Sequence, residues 1–131
     1  MKGVKGKELI LTTENKVGKL EEIARAIKDE GINLRAISAW SFEDKAFFRI
    51  VSSDNVKTKE ILQLLGKVEE KEVIIVEMTD EMGQLFSLAS KLKDNNIDIN
   101  HIYGTASEPD KSVIVVFSSA NNNKALELIS S

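Results

Sequence analysis

Two short runs in this 131-residue chain carry residue types suited to chemistry: Asn15–Lys16–Val17–Gly18–Lys19–Leu20 and Asp80–Glu81–Met82–Gly83–Gln84–Leu85. Each follows an apolar run, Leu9–Ile10–Leu11 or Val73–Ile74–Ile75–Val76, and each precedes a helical pattern. The chemistry this spacing suits is recognition rather than bond-making. Asn or Asp at the strand end can cap the new helix through its side-chain oxygen. Glycine three residues on removes the Cβ, so a ligand or another backbone can come close. The unpaired N–H groups of a first helical turn, at Val17–Gly18 and Met82–Gly83, suit a carboxylate or phosphate. The same residues also have a purely architectural reading, in which Gly18 and Gly83 serve the turn and Asn15 and Asp80 serve the cap.

The flanking sequence supplies the elements that must hold these corners. Met1–Lys7, rich in lysine and glycine, reads as a loose leader, and Glu8–Glu14 as a strand. Over Val17–Glu30 the apolar residues Leu20, Ile23, Ala24 and Ile27 fall at helical spacing and predict one buried stripe, with Gly31 closing the helix. Ile32–Ser41 and Ala46–Ser52 read as strands around a polar turn. Asp54 and Asn55 start a second helix that Gly66 stops. At the offset that carries Gly18 onto Gly83 the pattern recurs. Leu20, Ile23, Ala24 and Ile27 fall on Leu85, Leu88, Ala89 and Leu92, and Ile32–Asn33–Leu34 on Ile97–Asp98–Ile99. One extra residue is placed in the second hairpin, at Glu108–Pro109–Asp110, which sets Phe48 against Ile114. A last helix covers Lys124–Ile129. This duplication predicts an α+β fold of two ferredoxin-like repeats, residues 8–70 and 71–131, with antiparallel sheets and helices packed on one face. The second repeat ends without a closing strand, which predicts an unfinished edge or one completed by a partner chain.

Composition narrows the function classes. Hydrophobic residues make up 42% and charged residues 30%, as in a soluble globular protein. A net charge of −3 argues against a sequence-independent nucleic-acid binder. The only adjacent aromatic pair, Phe47–Phe48, lacks the basic–glycine–aromatic setting of an RNA-binding sheet. There is no cysteine, and His101 is the single histidine. It alternates with Ile97 and Ile99 and reads as a strand residue, while Trp40 reads as packing. No nucleophile–base pair, phosphate loop or metal-ligand spacing is visible, so neither catalysis, metal nor cofactor is expected. No apolar run approaches the roughly 20 residues of a membrane span, and the cytoplasm is the expected compartment.

With the repeat laid out, the chain resembles a tandem pair of ACT domains, ferredoxin-like modules that typically bind amino acids and regulate enzymes. The corner is similar to the His-x-Asn-x-Pro-Gly-x-Leu run in the regulatory domain of 3-phosphoglycerate dehydrogenase. Asn15 and Gly18 keep that pattern, whereas Thr13 stands for His and Val17 for Pro. That family also uses an Asn just after the first helix, supplied by the neighbouring domain, and its position here is Asn33. The second copy holds Asp80, Met82, Gly83 and Asp98 at the matching positions, with Thr79 directly before Asp80. The resemblance implies an amino-acid carboxylate at Val17–Gly18 or Met82–Gly83. It implies an ammonium group held by Asn15 with Asp98, or by Asp80 with Asn33, if the copies lie side by side through their second strands. The expected partners are an amino-acid ligand, a metabolic enzyme and a second copy of the chain. The alternative is a ligand-independent assembly subunit acting on a separate metabolic enzyme.

Overall fold

The computed structural model describes residues 1–79, 83–105 and 112–130. The elements run β1 (Lys2–Glu14), α1 (Lys19–Asp29), β2 (Leu34–Phe42), β3 (Lys45–Ser52), α2 (Asn55–Leu62), β4 (Lys67–Thr79), α3 (Gln84–Asp94), β5 (Ile99–Gly104), β6 (Ser112–Ser119) and α4 (Asn122–Ser130). The fold is α+β, with antiparallel strands and four helices. Two compact units result. The first is Lys7–Lys71 and the second combines Met1–Gly6 with Glu72–Ser131.

In the first unit the strand order is β2-β3-β1-β4, with β4 contributing its opening residues. Alternate strand residues Leu9, Leu11, Ala46, Phe48 and Ile50 share one face and form a single core with Ile23 and Ile27 of α1 and Leu62 of α2. In the second unit the order is β1-β4-β6-β5, and Ile74, Val76, Met78, Val113, Val115 and Phe117 pack with Leu88 and Leu92 of α3 and Ala125 and Ile129 of α4. Each unit thus has its own core between a sheet and two helices.

The second unit is not missing its closing strand, and Met1–Lys7 is not a loose leader. Lys2–Gly6, the start of β1, belongs to the second unit and stands beside β4 there. A Cβ on Gly3 would lie 2.9 Å from Cγ2 of Ile129, so the strand starts against the end of α4, where a closing strand would follow in an unpermuted module. Lys5 also pairs with Glu72, Nζ to Oε2 at 3.9 Å. The first unit takes its closing strand from the opening residues of β4, after α2.

Matching clamps fix the strand starts. Oδ1 of Asn55 accepts from the Ser52 backbone N–H (3.2 Å) and hydroxyl (2.9 Å), while Nδ2 donates to the carbonyl of Lys7 at 2.7 Å. In the second unit Asn122 does the same to Ser119, at 2.9 and 2.8 Å, and to the carbonyl of Glu72 at 3.4 Å. Asp54 and Asn121 cap the following helices by accepting from Lys57 and Lys124, each at 3.1 Å.

The register corrects the repeat alignment. Phe48 stands opposite Leu11 and Ala39, and Val115 stands opposite Val76 and Gly104. Val115, not Ile114, is therefore the counterpart of Phe48. The connection that holds the additional residues, including Glu108–Pro109–Asp110, lies outside the described residues. The expected buried stripe of α1 is also narrower: Ile23 and Ile27 are buried, but Leu20 and Ala24 are exposed. Leu85 and Ala89 of α3 repeat that exposure.

Candidate functional site

The first corner begins where β1 ends. Asn15 does not cap α1. Its backbone N–H donates to the carbonyl of Asp44 at 2.8 Å and its Nδ2 to the carbonyl of Glu43 at 3.3 Å, so it ties the corner to the β2–β3 turn. The cap position is Gly18, with φ 94° and ψ −4° and no side-chain hydrogen bond to the helix. In the second corner Gly83 is likewise the cap residue of α3, at φ 89° and ψ −1° and with no capping side chain. Asp80 and Met82 lie outside the described residues.

Both glycines are required by backbone conformation, since a left-handed residue with a Cβ costs about 1–2 kcal/mol. Apart from the adjoining residues, no atom of the described residues lies within 4 Å of where that Cβ would sit in either corner. Gly18→Ala is therefore expected to lose about 1–2 kcal/mol of stability through strain alone. Gly18→Asn should lose less, because Asn tolerates this region. Urea unfolding of both variants checks the ordering, and equal losses would contradict it.

Each corner opens on a hollow. The first, about 270 Å³, is bounded by Asn15, Lys16, Gly18 and Leu20 on one side and by Ala39, Trp40 and Phe48 on the other. The second is about 570 Å³ and lies between Thr79, Gly83 and Leu85 and the strand residues Ile102, Gly104 and Val115. Their helices differ in charge. The first turn of α1 carries Glu21 and Glu22, which offset the positive end of the helix dipole, whereas that of α3 carries no acidic residue.

The remaining expected site residues fall elsewhere. Val17 is fully exposed beside the first corner. Thr13 is buried, its Oγ1 donates to the carbonyl of Glu14 at 2.9 Å, and it faces a different hollow with Asp44 and Gly66. Asn33 lies in a hollow with Ala24 and Gly31, and Asp98 in the matching one with Ala89 and Asn96, so neither lines the corner of its own unit. Within each unit the structure brings together Asn15 with Gly18, and Thr79 with Gly83. His101 sits in β5 with its ring 5.4 Å from that of Tyr103. Among the described residues no group of three or more His, Asp or Glu could hold a metal ion.

What sequence reasoning missed is the difference between the hollows. Its signal was present in the exchange of Phe48 for Val115 and of Ala39 for Gly104. A hairpin gap one residue too short concealed it.

With this geometry established, the comparisons define the class. A family profile described as an ACT domain pair matches residues 5–131. The chain therefore belongs to the ACT domain pair family. Protein BT0572 from Bacteroides thetaiotaomicron is 25% identical and superposes with a TM-score of 0.87, over 98% of this chain and 88% of that one. The ligand-free regulatory subunit of aspartate kinase from Thermus thermophilus shares the fold at 11% identity and a TM-score of 0.67, covering 99% of this chain and 95% of that one. Aspartokinase III of E. coli, in complex with lysine and aspartate, shares it at 14% identity and a TM-score of 0.56, over 97% of this chain and 30% of the enzyme. Among curated proteins no sequence match was found.

Proposed function

We propose that this chain is a non-catalytic amino-acid sensor that regulates a metabolic enzyme. The observation that carries the reading is the doubled corner: a left-handed glycine begins a helix with no capping side chain, and a hollow opens beside it. A ligand carboxylate would meet the first-turn N–H groups near Val17–Gly18 or Met82–Gly83, where the helix dipole favours negative charge. Thr79, Asp80 and Asn15 offer polar groups for the rest of the ligand. Asn33 and Asp98 would act only on a ligand that reached beyond its own corner, and Thr13 is left a structural role. The ACT domain pair supports a regulatory role, as does the fold shared with an aspartate kinase regulatory subunit.

The reading includes a cytoplasmic location. Among the described residues no helix is long and apolar enough to cross a membrane. Thermal-shift measurement against the common amino acids tests it. A ligand at about 100 times its Kd adds about 2.7 kcal/mol of stability. At least one amino acid is expected to raise Tm at millimolar concentration, and no shift with any of them would remove the sensor reading.

The second reading, an assembly subunit with no ligand of its own, is favoured by exposed apolar residues at the sheet ends. The strand order ends on β2 in one unit and β5 in the other. Beside β2, α1 exposes Leu20 and Ala24, and beside β5, α3 exposes Leu85 and Phe86. Open edges with apolar flanks are commonly covered by symmetric pairing. A homodimer is the expected state under both readings, so light scattering should give twice the 14.5 kDa chain mass. A mass of one chain at micromolar concentration would contradict it. Capture of a metabolic enzyme unaffected by added amino acids would favour the assembly reading.

A further inference from the structure

Each corner begins a helix on a left-handed glycine, but the hollows beside the two glycines differ in size and in lining. In the first unit Phe48 and Ala39 face each other across β3 and β2, and Phe48 is buried in the core. In the second unit Val115 and Gly104 occupy those positions. A phenyl ring and a methyl are exchanged for an isopropyl group and a hydrogen, Thr105 stands for Trp40 and Val113 for Ala46, and the hollow is about 570 rather than about 270 Å³. Ligand cavities commonly span about 300–1,000 Å³, so only the second falls in that range.

The lining decides what can enter. Met78, Leu85, Phe86, Ile102, Val113 and Val115 face the second hollow together with the uncharged polar residues Thr79, Gln84, Tyr103 and Thr105, and no charged residue is among its described lining. Lys19 borders the first where Gln84 borders the second. A charged ligand side chain placed among those apolar groups would lose its hydration without meeting an opposite charge among the described lining residues. An apolar one would gain from burial.

We infer that ligand binding is confined to the second corner, and that this corner selects amino acids with an uncharged apolar side chain. The first corner, with the smaller hollow, is the non-binding copy. This inference rests on the amino-acid reading above and adds to it the site and the side-chain class.

Isothermal titration of the full chain with leucine, isoleucine and phenylalanine, against serine, aspartate and lysine, tests it. At least one apolar amino acid is expected to bind with one site per chain, at least about tenfold more tightly than any of the polar three. Val115→Phe, which installs the residue of the first unit, is expected to abolish binding. Should that variant fold poorly, Gly104→Ala is the milder change. A Cβ there would lie 3.1 Å from Cγ2 of Val115, and affinity is expected to fall about tenfold or more. Two sites per chain, tighter binding of a polar amino acid, or undiminished binding in a folded Val115→Phe or Gly104→Ala chain would overturn the inference while leaving the sensor reading in place. Binding of none of the six, with serine-sized and larger side chains all silent, would overturn the inference, and extending the silence to the remaining amino acids would overturn the sensor reading too.

Discussion

Removal of Met1–Gly6 is expected to unfold the second unit while the first keeps its core. These residues carry almost no apolar payload: Val4 is 56% exposed and its neighbours are lysine and glycine. Their contribution is backbone pairing along β4 and close contact of Gly3 with Ile129 of α4. Each lost hydrogen bond is worth about 0.5–1.5 kcal/mol net, so a few of them sum to on the order of 3 kcal/mol or more. A unit of about 60 residues is marginal to begin with. The bared edge of β4 would also invite aggregation. Hydrogen exchange on the truncated chain is the measurement: amides of β6 and α4 should lose protection, and those of β3 and α2 should keep it. Appending the same six residues after Ser131 through a short glycine linker should restore protection, because β1 begins beside the end of α4. Unchanged protection in the truncated chain would contradict the assignment of this strand.

Glu8→Ala is expected to cost about 3–5 kcal/mol, the range for breaking a buried ion pair by deleting one partner. The Glu8 side chain is 1% exposed and its Oε1 accepts from Nη1 of Arg49 at 2.9 Å. Arg49 is held further by Trp40, its guanidinium 5.5 Å from the indole centre, and Trp40 stacks on Phe47 at 5.4 Å between ring centres. Deleting the carboxylate leaves a largely buried guanidinium without that partner, which is where the cost arises. The double change Glu8→Ala with Arg49→Met should recover much of the loss, since it removes the stranded charge. Urea unfolding gives both values. A single-variant loss under about 1 kcal/mol, the range of exposed pairs, would contradict a buried pair.

The sequence was informative where an element advertises itself by apolar spacing or by a conformational requirement. The apolar runs before each corner, the helices that follow, and the glycines that begin them all lie where the pattern put them. The closing strand of the second unit was not legible, because Lys2–Gly6 has no alternation to read and its pairing is a backbone property. The role of Asn15 is hidden for a related reason. Asn before a helical run is a capping signal, but the chain takes three more residues to turn. Gly18 then opens the helix while the Asn15 amide holds the β2–β3 turn. The exposure of Leu20 and Leu85 was equally hidden, since helical spacing marks an apolar stripe without saying how much of it the parent sheet covers. The site itself was half legible. The paired corners are a pattern in the chain, whereas the contrast between their hollows depends on which residues stand opposite one another across β3–β2 and β6–β5.

An amino acid is expected to enter the second corner with its carboxylate at the start of α3. The most direct measurement is a two-dimensional amide spectrum of the labelled full chain during titration with leucine, isoleucine or phenylalanine. The amide signals of Gly83 and Gln84 are expected to move in proportion to occupancy, while those of Gly18 and Lys19 stay in place. Saturating shifts confined to other parts of the chain, or no shifts with any amino acid, would contradict the account.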